Sequence, residues 1–302
     1  MLRLVPWVAL VATFLALSCK RSGDAGAPPR PAAGGSTNRQ AFQVKGVVQA
    51  VKPREKQVEI RHEAVPGYMP AMTMPFDVKD TNELAGLEPG QPVSFRLIVT
   101  DTEGWIDHVH KLGPPTNSPP TTGPFRLVRD VEPLEVGDGL PEYHFTNQFG
   151  QAFSTARFRG QALAITFLFT RCPYPNFCPR MANNFEEAQQ KLQTLANGPT
   201  NWQLLTISFD PEFDKPAVLK AYADAHHCDP EHWTFATGEL IDITAIAEQF
   251  GLAFWHDETG GISHNLRTAV IDAAGRVQKI FAGNEWNSAE LVAELVSAAG
   301  RR

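Results

Sequence analysis

In KQVEIRH, Val58 and Ile60 alternate with polar or charged neighbours and the run ends at His62. That period of two predicts a strand with one buried face. PVSFRLIVT and GWIDHVHK continue the pattern, with the turn LEPGQ ahead of them. Several short strands in so short a stretch predict a small β-barrel over residues 42–112.

Beyond residue 133 the pattern changes. LAITFLF (163–169) is almost continuously apolar, as expected of a strand buried on both faces. A helix is predicted from about Pro179 through FEEAQQKLQTLA, stopping near Asn197-Gly198. Strand QLLTISF follows, then a helix capped by Asp214 with Pro216 in its first turn. DITAIAEQFG gives a third helix. RTAVIDAAGRVQKIFAG reads as two strands joined at Ala274-Gly275, and NSAELVAELVSAAG as a last helix capped by Asn287. Strands and helices in alternation, then a hairpin and a terminal helix, predict a thioredoxin-like α/β domain over residues 134–302. The chain thus reads as multidomain, a small OB-like β-barrel followed by an α/β thioredoxin-like domain.

Two segments break the pattern. Residues 20–40 contain no Val, Ile, Leu, Met, Phe, Trp or Tyr and cannot build a core, so residues 20–41 read as a flexible tether. GPPTNSPPTTGP opens a Pro-rich linker over 113–133. Ahead of the tether, Arg3 precedes the apolar run LVPWVALVATFLALS, which stops at Cys19, Lys20 and Arg21. This layout predicts a signal peptide over residues 1–19. The ending ALSC resembles a bacterial lipoprotein signal, although Ala16 stands where such signals usually carry Leu. Lipidation at Cys19 and a membrane-anchored, extracytoplasmic (periplasmic) chain are the expectations, with an uncleaved anchor as the alternative.

The 302 residues are 43% hydrophobic and 20% charged, enough for a substantial core. The net charge of -6 argues against nucleic acid as a partner. In an exported chain, the close pair Cys172 and Cys178 is either a disulfide or a reduced metal or redox site. Cys172 follows a buried strand and Cys178 precedes a predicted helix, whose N-terminus favours the thiolate.

Three of the five methionines, Met69, Met72 and Met74, lie in GYMPAMTMPF. Met72 and Met74 are two apart and share one face of an extended strand. With His62 they offer two thioethers and an imidazole, a neutral, soft set suited to Cu(I). Packing of a core is the plainer use of methionine. His108 and His110 read as solvent-facing. The cluster His226, His227, Cys228 and His232 reads as a helix end, with a third metal site as the alternative.

Phe42 to Leu112, with GVV, a strand ending in His and the motif PAMTM, resembles the CusF-like periplasmic copper-binding domain. The resemblance implies an OB-like barrel binding Cu(I) through His62, Met72 and Met74. Met69 stands where well-known members carry a capping Trp, and becomes a candidate third sulfur ligand; Tyr68 is a weaker candidate cap. From about Gly137 onward, GQALAITFLFTRCP, SFDPEFDKPAVLKAYA, WTFATG and ISHNLRTAVIDAAGRV resemble the Sco/SenC family. That resemblance implies a thioredoxin-like fold and one copper, as Cu(I) or also Cu(II), held by Cys172, Cys178 and His264. It implies a supporting role for Asp210. It also implies help in building the copper centre of cytochrome c oxidase, as metallochaperone or as thiol reductant.

One departure stands out: five residues, PYPNF, separate the cysteines where the family usually has three. The expected function is therefore a copper metallochaperone in which the barrel captures Cu(I) and passes it to the cysteines. Its expected partner is the copper-site subunit of cytochrome c oxidase or another copper-accepting protein. The alternatives are a thiol-disulfide oxidoreductase using Cys172 and Cys178, and a copper-resistance buffer.

Overall fold

The computed structural model describes residues 39–115, 131–256 and 261–300. The predicted signal peptide with Cys19, most of the tether and most of the Pro-rich linker lie outside the described residues.

The strand pattern of the first region builds β1 (Gln40–Lys52), β2 (Gln57–His62), β3 (Met72–Asp77), β4 (Pro92–Val99) and β5 (Gly104–Lys111). They form one antiparallel sheet in the order β3-β2-β1-β4-β5. A parallel bridge between Val78 and Ile106 brings the end of β3 to β5 and closes the sheet into an OB-like barrel. Alternate residues point inward: Val48, Val58, Ile60, Phe76, Phe95, Leu97 and Ile106 are fully buried. Register shifts at Val48/Ala50 and Ser94/Arg96 bend the long strands so that they coil. β1 begins at Gln40, inside the stretch read as tether, because Gln40 already pairs with Val99.

The second region forms β6 (His144–Asn147), β7 (Ala152–Ser154), β8 (Ala162–Leu168), α1 (Cys178–Thr194), β9 (Trp202–Ser208), α2 (Pro216–Ala225) and β10 (Trp233–Thr237). There follow α3 (Leu240–Gln249), β11 (Phe254–His256), β12 (Ile262–His264), β13 (Arg267–Ile271), β14 (Val277–Ala282) and α4 (Ser288–Ala299). Seven strands lie in the order β14-β13-β8-β9-β10-β6-β7. β8, β9 and β10 run parallel at the centre, with β13 and β14 antiparallel beside them. Every residue of β8 is buried, as its unbroken apolar sequence demands. The thioredoxin-like architecture expected from the alternating pattern is present.

Local details differ from expectation where short-range chemistry has more than one outlet. Asn287 caps α4 in a full capping box with Glu290. Asp214 does not cap α2, whose N-cap is Lys215 with no side-chain bond. Pro216 at the helix start has no N–H to satisfy, and the Asp214 carboxylate turns inward instead. It accepts bonds from the Thr170 N–H at 3.0 Å, the Thr170 hydroxyl at 2.5 Å and the Ser208 hydroxyl at 2.5 Å. The helix read from Asp242 begins earlier, at Leu240. The hairpins β6–β7 and β11–β12 were not expected, being too short to display a period.

Candidate metal centre

The carboxyl end of β8 leads through Thr170 and Arg171 into the loop that starts at Cys172, and α1 starts at Cys178. The loop therefore delivers one sulfur from a strand end and one from a helix N-terminus. β12 supplies His264 from the short hairpin with β11. The two sulfurs and a ring nitrogen of His264 all lie within 4.8 Å of one another, and Cys178 Sγ is 3.8 Å from His264 Nε2. The His264 Nδ1 sits 2.8 Å from the Asn265 carbonyl, which accepts its proton and leaves Nε2 facing the sulfurs.

Phe169 and Phe177 pack edge-on against the His264 ring, with centroids 5.6 and 5.4 Å away, and Phe209 lies at 5.0 Å. These rings fix the orientation of the imidazole. All three described cysteines are free thiols.

The two sulfurs of the pair differ. Burial opposes ionisation of Cys172, but hydrogen bonds from Cys178 and His264 outweigh it and hold this thiol well below the usual range. Burial, reinforced by the adjacent Cys172, pushes Cys178 well above it. Two sulfurs and an imidazole this close form a donor set that fits a soft or borderline cation such as copper. Asp210 does not reach this set. It is buried and accepts a 2.8 Å bond from Arg171 Nε, fixing the residue before Cys172. The Arg171 guanidinium lies 4.7 Å from the Phe213 ring centroid.

In the barrel, strand register pairs His62 with Met72 and Ile60 with Met74. Directly opposed residues share a face, so His62, Met72 and Met74 lie together, and all three are buried. His62 Nδ1 is 2.7 Å from the Glu63 carbonyl, the same orienting device seen at His264. Met69 is also buried, in a bridge with Val65. Among the described residues no Trp lines the cavity beside Met72 and Met74. Tyr68 stacks on Phe42, with centroids 5.0 Å apart, and donates its hydroxyl to the Pro173 carbonyl at 2.9 Å.

That last bond belongs to an interface between the barrel and the cysteine loop. The Thr73 N–H on the edge strand β3 donates to Ser263 Oγ at 3.0 Å, beside His264. Asn176, inside the loop, donates to Asp77 at 2.6 Å and to the Gly104 carbonyl at 2.7 Å, and accepts from the Gly104 N–H at 3.0 Å. The Tyr174 ring packs on Gly104, where a Cβ would lie 2.4 Å from Tyr174 Cε2, and meets Phe76 edge-on at 6.0 Å. A narrow cavity of about 10 Å³ results. Met72 and Met74 line it on one side; Cys172, Pro173, Tyr174, Phe177, Ser263 and His264 are among its other walls. Met69 is not among the lining residues.

Tyr174, Asn176 and Ser263 escaped the sequence reading. The one signal pointing toward the first two was the long spacing between the cysteines. The histidines outside the centre behave as expected. His108 and His110 are exposed. His226 and His227 both contact Glu186, His232 stacks on Trp202, and Cys228 donates to the Trp233 carbonyl. They do not converge as a metal-binding group; among the described residues the one such group built from His, Cys, Asp or Glu is Cys172, Cys178 and His264.

Comparison with known proteins agrees with this geometry. Residues 41–111 match the family described as copper binding periplasmic protein CusF. A SCO1 protein homolog of Bacillus subtilis is 31% identical over 96 residues, 32% of this chain and 47% of the relative, so that match spans about half the relative's length. A SCO2-like protein of Rickettsia prowazekii is 26% identical over 55% of this chain and 78% of its own. The crystal structure of a SCO1/SenC family lipoprotein from Bacillus anthracis is 30% identical, covering 53% of this chain and 95% of that one with a TM-score of 0.47. The SCO1/SenC family model matches residues 132–300, more than half of the chain and the whole Cys/Cys/His centre, and the chain belongs to that family.

Proposed function

We propose that this chain is an extracytoplasmic copper metallochaperone. Its barrel takes up Cu(I) through His62, Met72 and Met74 and passes it to Cys172, Cys178 and His264 for delivery to the copper centre of cytochrome c oxidase. The observation that carries this reading is the shared cavity, in which the methionine strand and the Cys172–His264 centre face each other. Thioethers and imidazole are neutral and favour Cu(I), whereas the thiolates hold copper more tightly in either oxidation state. The gradient from neutral to anionic donors sets the direction of transfer toward the cysteines. The signal-like start, the lipoprotein-like ending ALSC at Cys19 and the periplasmic character of the matched CusF family support a site of action outside the cytoplasmic membrane. Among the described residues no helix is long and apolar enough to cross a membrane.

The test is transfer. Copper-loaded chain is mixed anaerobically with the copper-free binuclear domain of the oxidase subunit, the two proteins are separated, and the copper content of each is measured. Gain of copper by the acceptor, with matching loss from this chain, is the expected result. An acceptor that stays empty while the chain keeps its copper would leave a copper buffer in place of a chaperone.

The split between an acidic Cys172 and a protonated Cys178 favours a second use of the same residues. Cys172 thiolate attacks a target disulfide, Cys178 resolves the mixed disulfide, and the target leaves as a dithiol. Reduction of an oxidised acceptor by metal-free chain, with formation of the Cys172–Cys178 disulfide, distinguishes this use from copper delivery.

A further inference from the structure

We propose that the methionines of β3 and the Cys172, Cys178, His264 centre form one mixed copper site rather than two separate ones. On this account the thioether of Met72 or Met74 is a ligand to the same ion that the cysteines hold. The inference deepens the copper-transfer reading above and rests on it.

Three observations carry it. Met72 and Met74 line the same cavity as Cys172 and His264. That cavity measures about 10 Å³, roughly the space of a single water-sized sphere, so it has room for one ion between the two sets of donors. The walls are also pinned across the interface. Thr73, between the two methionines, bonds to Ser263, the neighbour of His264; Tyr68 bonds to Pro173, the neighbour of Cys172. Each set of sulfur donors is thus tied to the other through the adjacent residue, and neither can swing away without breaking a bond at the partner's backbone or side chain.

The chemistry agrees. A thioether adds a soft donor without adding charge, so it joins a dithiolate centre with no new electrostatic cost. Transfer then becomes an exchange of ligands in place. As a thiol sulfur binds copper its S–H bond breaks and the proton leaves to solvent, a thioether or imidazole of the barrel lets go, and the ion keeps its oxidation state throughout. The domains do not have to separate.

The experiment uses the full reduced chain and Cu(I) held by a competing chelator, without oxygen. Wild-type protein is expected to take one tight equivalent and to leave a second with the chelator. The Met72→Leu/Met74→Leu variant, conservative in volume, is expected to hold that single copper roughly 10-fold or more weakly, the scale of losing a supporting contact at a metal centre. Unchanged affinity in that variant, or two tight equivalents in the wild type, overturns the proposal.

Selenomethionine-labelled chain of otherwise unaltered sequence gives a second readout that does not depend on the variant's folding. With one equivalent of copper bound, selenium-edge absorption is expected to show copper as a direct neighbour of selenium. Its absence sinks the mixed site. The Cys172→Ser/Cys178→Ser variant separates the two levels of the argument. If it keeps wild-type copper affinity, the copper-transfer reading itself is wrong. If it loses copper while the methionine variant does not, only the mixed site fails.

Discussion

Cys172 and Cys178 are six positions apart in sequence yet carry opposite tendencies to ionise. The thiolate is the reactive form, so a lowered pKa keeps Cys172 reactive at pH values where an ordinary thiol is protonated. In metal-free reduced protein at pH 7, alkylation is expected at Cys172 well before Cys178. Its rate-against-pH curve should be displaced to the acid side of a free cysteine's. Peptide mass spectrometry after timed alkylation reads both. Equal rates at the two sulfurs would contradict the assigned split.

Asp214 is a second residue with a sign to work out. Burial raises its pKa, and the bonds from Ser208 and Thr170 only partly counter this. The folded chain therefore holds this proton to higher pH than the unfolded chain does. Its contribution to stability is greatest below the unfolded pKa, declines as pH rises through the window up to the folded pKa, and is constant above it. Asp214→Asn should flatten that part of the stability–pH curve in denaturant titrations. Asp214→Ala leaves the Thr170 N–H without its acceptor and should cost about 1–3 kcal/mol. A curve of unchanged slope in the Asn variant would contradict the inward carboxyl.

At the level of elements, the loop between the cysteines decides how the two domains meet. Its extra length carries Tyr174 against Gly104 and Asn176 onto Asp77 and Gly104. Gly104→Ala would drive a Cβ into the Tyr174 ring. Overpacking of this kind costs about 1–3 kcal/mol, and here it should also raise hydrogen exchange at the Gly104 amide, which Asn176 protects. Stability and exchange like the wild type's would mean that the loop does not dock.

The sequence displayed the elements on either side of this loop. β8 was legible because an unbroken apolar run has few other uses, α4 because Asn287 is a good cap, β2 because Val58 and Ile60 alternate up to His62, and the face of β3 because Met72 and Met74 lie two apart; the pairing of His62 with Met72 came only with the register. The cysteine pair and the methionine group were legible through residue type and spacing, whereas His264 stood out only through the resemblance to the Sco/SenC family. The interface was not, because Tyr174, Asn176 and Ser263 are ordinary loop and strand residues until a partner from the other domain is beside them. Asp214 was misread for a related reason. A carboxylate before a helix has two outlets, and tertiary bonds from Thr170 and Ser208 took it away from the local one.

At the scale of the whole molecule, the barrel acts as the lid of the thiol centre. Phe177, Phe169 and Tyr174 wall the cavity on the thioredoxin-like side, and Met72 and Met74 face them from the barrel. On the proposed account, copper bound there would be held between the two walls, and an acceptor would approach it through Cys172, the partly exposed member of the pair. The measurement that tests this account most directly is competition for Cu(I), without oxygen, between a graded series of chelators and the reduced chain, beside Cys172→Ser/Cys178→Ser. The account predicts that wild-type protein keeps one copper against the strongest chelators. The variant should surrender it to them and retain copper only against weak ones, through His62, Met72 and Met74. Equal retention by both proteins would remove the cysteines from copper binding and contradict the account.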